Sequence, residues 1–173
     1  MHYDNINDLL KISASDNIKL TVEEEYKFLR KNNILASTGG SVRPVQKDFL
    51  HWFGSIDGPK NTPYENGTYY FEMKFTNDYP NKGPIDVRMK TPIYHENITN
   101  SNGHICVSYF SGWQNTYDVA GIVHTIFELL ENPNPGSPYN STNKQKAEEF
   151  NQRYAMREQT YDWSKTWDQG WTL

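Results

Sequence analysis

Residues 49–75, "FLHWFGSIDGPKNTPYENGTYYFEMKF", decide how the fold is read. The outer runs, "FLHWFGSI" and "GTYYFEMKF", alternate apolar and polar residues, the period of a half-buried strand. Between them, "DGPKNTPYENG" is dense in turn-forming residues and reads as a connector. Downstream, "YPNKGP" forces an extended, irregular loop, and "IDVRMKT" supplies another alternating run. Strands in this order on short links predict an antiparallel meander.

Helices are expected before and after the strands in the chain. Thr21-x-x-Glu24 forms a capping box, and Val22, Tyr26, Leu29 and Leu35 supply a buried stripe that "ASTGGS" terminates. Glu23, Glu24 and Glu25 are expected to form a solvated face. A second helix places Val119, Ile122, Val123, Ile126, Phe127, Leu129 and Leu130 on one broad face, with Asp118 as cap and Pro133 as stop. "ENPNPGSPYN" cannot be regular, because its prolines remove donors and fix the backbone. A further helix is expected from Ser141 or Thr142 through "KQKAEEFNQRYA", and the tail is expected to be helical up to Gly170. Residues 1–20 are polar and weakly periodic, an N-terminal extension ahead of one α+β domain at 21–173.

Composition narrows the function classes. A chain of 173 residues with 36% hydrophobic and 22% charged residues suits one ordered, soluble domain. Its net charge of −4 and pI near 5.7 argue against nucleic acid as a partner. The one cysteine, Cys106, makes no internal disulfide, which points to the cytosol or nucleus. The N-terminus has no signal-peptide pattern. "IVHTIFELL" is too short and too interrupted to cross a membrane, so no membrane association is expected.

The stretch from Pro92 to Trp113 is expected to be irregular, and it contains His95, Asn97 and Cys106. A loop of that length in a compact domain signals function, while a lone cysteine is often a small core hydrophobe; both readings of Cys106 stay open on these grounds. A cysteine–histidine hydrolase could draw a base from His95, His104 or His124. His104 stands two residues before Cys106, yet the pair lacks a third orienting group. A metal site is disfavoured because the histidines and cysteine show no paired spacing.

Five stretches in order carry a resemblance: "HWFGSIDGPKNTPYENGTYYFEMKFTNDYP", "TPIYHENI", "NGHICVSYF", "GW" and "ENPNPGSPYN". Together they resemble the ubiquitin-conjugating enzyme family, over about Val22 to Trp167. Trp52 matches the family's first-strand tryptophan, Gly58-Pro59 and Thr62-Pro63-Tyr64 its turn, and Tyr79-Pro80 its loop. The resemblance implies an N-terminal helix, a four-stranded antiparallel meander, a long irregular active-site segment and C-terminal helices. It also implies that Cys106 accepts ubiquitin as a thioester from an activating enzyme and passes it to a substrate lysine, with or via a ubiquitin ligase. Neither a cofactor nor a metal is implied, and a monomer in the cytoplasm or nucleus is expected.

By the same resemblance, Asn97 matches the asparagine of the family's His-Pro-Asn motif. It either stabilises the oxyanion or holds its own loop. His95 is expected to orient that loop, and Ser108, Ser137 and Tyr139 to line the gate for the incoming lysine. Pro80, Asn81, Gln114 and Asn115 fall on ligase-facing loops, and Lys27 and Arg30 on the helix that faces the activating enzyme.

Departures from the family pattern bear on activity. Glu96 replaces the motif's proline and is expected to point to solvent. Ser108 and Ser137 stand where the family often has aspartate, and Asn81 where it often has a docking aromatic. Two rivals are carried forward: a weak or inactive scaffold of the same fold that binds ubiquitin or a ligase, and a carrier of a ubiquitin-like modifier.

Overall fold

The computed structural model describes residues 22–45, 48–105, 108–136 and 138–160. Helix α1 (Val22–Asn32) opens with three glutamates and closes with Arg30 and Lys31, both favourable to the helix dipole. Asn33, with φ of 50°, follows its last residue, and one 3₁₀ turn (Ala36–Thr38) leads into the sheet. Thr21, the expected cap, lies outside the described residues.

The sheet is the meander that the alternating runs predict, with strands in the order β1 (Ser41–Val45), β2 (Asp48–Asp57), β3 (Thr68–Lys74) and β4 (Asp86–Met89). All pairings are antiparallel. Residue alternation alone pointed to β2, β3 and β4. Strand β1, "SVRPV", carries a proline, which an edge strand tolerates because one of its sides needs no ladder donor. Its register with β2 shifts between Pro44 and Val45. The inner face of the sheet buries Trp52, Ile56, Tyr69, Phe71, Met73, Val87 and Met89. Tyr26 of α1 packs edge-on against Trp52 at 5.4 Å.

The connector from 58 to 67 is ordered by its own turn chemistry. Thr62 Oγ1 donates to Pro59 O (2.7 Å) and accepts from Tyr64 N (3.2 Å). Gly58 is required there, since a Cβ would stand 1.7 Å from Tyr64 O.

Helix α2 is one turn, Ser108–Ser111, inside the stretch expected to be wholly irregular. Helix α3 (Val119–Glu131) matches its expectation: Asp118 Oδ1 caps Gly121 N at 2.7 Å, and the apolar face is buried against the sheet. Helix α4 (Lys144–Phe150) starts later than expected, because Asn143 is the side chain that caps it. The chain then widens into a π-helical turn, Asn151–Ala155. Asn151 is buried there; it accepts from Tyr69 OH (2.5 Å) and donates to Glu65 O (2.9 Å), which ties the turn to β3 and the connector. Residues 156–160 are not helical. Gln159 instead donates to Thr68 O at 2.9 Å, and the rest of the expected tail helix lies outside the described residues.

One expectation about α1 is overturned. Glu23 and Glu24 are exposed, but Glu25 is buried at 2% exposure, on the same face as Val22, Phe28 and Leu29. Its carboxyl takes hydrogen bonds from Tyr79 OH and from Val119 N (2.5 Å), so it joins α1, the Tyr79-Pro80 loop and the start of α3. Burial, reinforced by nearby Asp118, raises its pKa from 4.5 to about 8, so the neutral acid is favoured at pH 7. A neutral acid can serve both partners without an ionic cost. Its stabilisation is complete below the unfolded value of 4.5 and is lost as pH rises through about 8. Glu25→Gln mimics the neutral form at every pH. Its stability relative to wild type should therefore increase between pH 5 and pH 8, by about 1 kcal/mol per pH unit. Urea denaturation at several pH values measures this, and a difference that does not change with pH contradicts it.

Candidate active site

The segment after β4 reaches the site by packing along that strand. Ile105 N donates to Val87 O (3.3 Å) and Met89 N to Gly103 O (2.8 Å), so residues 103–105 cover the free edge of β4. Thr99 and Asn102 close the intervening turn on the His104 N–H. Ile105 is buried, whereas the side chain of His104 is 42% exposed. Cys106 and Val107 follow in sequence, outside the described residues.

His95 occupies the interior of the segment at 1% exposure. Nε2–H donates to Leu129 O (2.8 Å), one of the carbonyls left without an intrahelical partner in the last turn of α3. Nδ1 accepts from Asn97 N (2.9 Å). Only the neutral Nε2–H tautomer makes both bonds. Burial lowers the pKa of the ring, against weaker opposing effects of Leu129 O and Glu96, so the neutral form persists. His95 thus ties the Asn97 N–H to the end of α3.

Asn97 is fully buried and clamps the loop after α3. Nδ2 donates to Asn134 O (2.7 Å), and Oδ1 accepts from Asn134 N (2.8 Å). Both ends of the amide engage one residue's main chain, as a neighbouring strand would. That arrangement favours loop holding over oxyanion binding.

Asn140 is a residue that sequence reasoning missed. Its Nδ2 reaches His95 O (2.8 Å) and Ile98 O (3.0 Å), and its own N–H and that of Tyr139 go to Glu96 O. A signal was present: an amide ending a proline-rich loop can supply donors to carbonyls that no strand or helix serves. Glu96 does not simply point to solvent. It is half-buried, and its Oε1 accepts from Thr142 Oγ1 at 2.6 Å, which turns the carboxylate toward the 138–142 loop.

The residues expected to line a gate are only partly assembled in the described structure. Tyr139 is 46% exposed, and its ring lies edge-on to His104 at 6.5 Å. Ser108 begins α2, and Ser137 lies outside the described residues. His104 has the orienting group that the sequence seemed to lack. Its Nδ1 lies 3.0 Å from Asp86 Oδ1, and the other Asp86 oxygen accepts from Arg88 Nε at 2.6 Å. Among the described residues no cluster of three or more His, Cys, Asp or Glu could hold a metal ion.

The two loops expected to face a ligase meet at Trp113. Its Nε1 donates to Pro80 O (2.9 Å), and its ring packs on Tyr79 at 6.0 Å and closely over Gly83, where a Cβ would come within 2.5 Å. The Tyr79–Pro80 peptide bond is cis. Asn81, Gln114 and Asn115 are exposed around this junction. Lys27 and Arg30 project from the outer face of α1, with Lys27 paired to Glu23 at 3.0 Å.

The clamp by Asn97 predicts a stability effect. Asn97→Ala removes two hydrogen bonds, each worth about 1 kcal/mol net, and should cost about 2 kcal/mol in urea denaturation. Unchanged stability contradicts the loop-holding role.

Comparison with known proteins agrees with this geometry. A family model described as "Ubiquitin-conjugating enzyme" matches residues 21–162. Ubiquitin-conjugating enzyme E2 1 of Caenorhabditis elegans is 39% identical over 122 residues, 70% of this chain and 62% of the relative. Ubiquitin-conjugating enzyme E2 3 of Arabidopsis thaliana is 38% identical over 118 residues, 68% of this chain and 75% of the relative. For ubiquitin-conjugating enzyme E2 2 of Candida glabrata the identity is 41% over 103 residues, 59% and 60% of the two chains. The chain therefore spans less than two thirds of the C. elegans and C. glabrata relatives. A crystal structure from Plasmodium yoelii, assigned as a ubiquitin conjugating enzyme, superposes with a TM-score of 0.70 at 25% identity, over 79% of this chain and 94% of that one. With its four-stranded meander, its pinned active-site segment and a family match over most of its length, the chain belongs to the ubiquitin-conjugating enzyme family.

Proposed function

We propose that this protein is an active ubiquitin-conjugating enzyme with Cys106 as its acyl acceptor. The observation that carries the reading is the position of the chain's one cysteine, inside the family match and directly after the segment held by His95, Asn97 and Asn140. In charging, the Cys106 sulfur attacks the thioester of an activating enzyme. A new S–C bond to the ubiquitin C-terminus forms, and the activating enzyme's thiolate leaves. In discharge, an amine takes the acyl group from sulfur to nitrogen, so a difficult amide synthesis is divided into two easier transfers.

The surfaces divide accordingly. Lys27 and Arg30 on α1 meet the activating enzyme. Pro80, Asn81, Gln114 and Asn115 meet the ligase, with Asn81 as a polar contact where an aromatic anchor is common in the family. Asn97 acts through the loop that it clamps, and Ser108, Ser137 and Tyr139 flank the path of the lysine. The enzyme works as a monomer in the cytoplasm or nucleus.

A charging reaction with ubiquitin, ATP and an activating enzyme, read on a non-reducing gel, tests this reading. The expected result is a thiol-sensitive band one ubiquitin heavier, absent in Cys106→Ala. No such band with ubiquitin overturns the reading; a band with a ubiquitin-like modifier alone would assign the carrier rival, and no band with any modifier the scaffold rival. The serines predict slower discharge to free lysine than aspartate in their place would give, because a hydroxyl carries no charge and is no base at neutral pH. Ser137→Asp should speed that discharge severalfold in a single-turnover assay. Equal rates contradict this.

A further inference from the structure

The serines at 108 and 137 leave open which group handles the proton of the incoming amine. The answer rests on the reading of Cys106 as the acyl acceptor. Asp86, on β4, points its two oxygens at different partners: Oδ1 at His104 Nδ1 (3.0 Å) and Oδ2 at Arg88 Nε (2.6 Å). A carboxylate only accepts, so Nδ1 carries a proton, and in the neutral ring the lone pair is left on Nε2. The carboxylate is largely covered, whereas the imidazole is 42% exposed. Among the described residues Nε2 makes no hydrogen bond, and the neighbouring ring is that of Tyr139, at 6.5 Å. An acid that fixes the tautomer of an imidazole whose far nitrogen is open is the arrangement of a general base and its orienter. His104 stands two residues before Cys106 in sequence.

We propose that His104, held by Asp86, receives the attacking lysine through Nε2 and takes its proton. One ammonium proton passes to Nε2. The free amine attacks the thioester carbonyl, and a C–N bond forms. The C–S bond then breaks, and the sulfur of Cys106 leaves as thiolate. The second proton on nitrogen goes to that thiolate, and the imidazolium returns its proton to water. The described charged or titratable groups around His104 are Asp86 and Arg88 on β4 and Tyr139 on the loop before α4. Arg88 offsets the charge of Asp86, so the carboxylate orients the ring more than it draws the ammonium to itself.

The alternative is that the pair merely ties residues 99–105 to β4. The two roles separate in a single-turnover assay on the preformed, purified ubiquitin thioester. Two nucleophiles are compared: free lysine, which must lose a proton before it attacks, and hydroxylamine, which is already neutral. In His104→Gln, a neutral side chain of similar size, discharge to lysine should fall at least tenfold, while discharge to hydroxylamine falls less than twofold. Asp86→Asn should produce the same split to a smaller degree. The double variant should be no worse than His104→Gln, as two groups acting as a unit require. Added imidazole should restore lysine discharge in His104→Gly. Equal loss with both nucleophiles, or no loss with either, overturns the role of His104. Failure of the wild-type protein to form a thioester at all overturns the reading of Cys106 instead, so the two failures are distinguishable.

Discussion

An irregular segment packed in a protein interior must find partners for main-chain groups that no helix or strand provides. Here three side chains supply them. His95 bonds the end of α3 with one nitrogen and accepts the Asn97 N–H with the other. Asn97 clamps Asn134, and Asn140 gathers the carbonyls of His95 and Ile98. The stretch between β4 and Cys106, the C-terminus of α3 and the proline-rich loop are thereby locked into one body. Without these bonds, neither the carbonyls of the loop nor the position of Tyr139 would be set.

The same economy recurs at the other end of the molecule. Glu25 is one carboxyl that serves a tyrosine hydroxyl and a helix N-terminal amide, and so fixes α1 against the Tyr79-Pro80 loop and α3. Trp113 then joins that loop to the one before α3 through a single indole N–H. The surfaces proposed for the activating enzyme and for the ligase thus share a buried polar junction. A disturbance of Glu25 would be felt on both.

Much of this architecture was legible beforehand, for identifiable reasons. Strands β2 and β3 place Trp52, Ile56, Tyr69, Phe71 and Met73 on one buried face, so alternation marks them. Helix α3 is apolar around much of its girth, with Asp118 and Pro133 at its ends. Strand β1 was invisible to alternation because an edge strand with a proline and few buried residues has no strong period. Glu25 was misread because local composition cannot reveal that a tyrosine 54 residues away and an amide 94 residues away would satisfy it. The π-helical turn depends on the long-range partners of Asn151, Tyr69 and Glu65. At the site, His95 and Asn97 could be named from the motif, yet the partners that define their roles are more than 30 residues distant. His104 could be named as a candidate base, but its pairing with Asp86 was hidden for the same reason, since it exists only once residues 103–105 dock on β4.

A segment nearly devoid of regular structure is held here as firmly as the helix it packs on. Native-state hydrogen exchange, resolved at single amides, tests it most directly. The N–H groups of Asn97, Asn134 and Tyr139 donate to His95 Nδ1, Asn97 Oδ1 and Glu96 O. If the clamp is the organising feature, these amides exchange on the slow timescale of the α3 interior and lose protection together in Asn97→Ala. Exchange at the rate of an open loop in the wild-type protein would contradict the account.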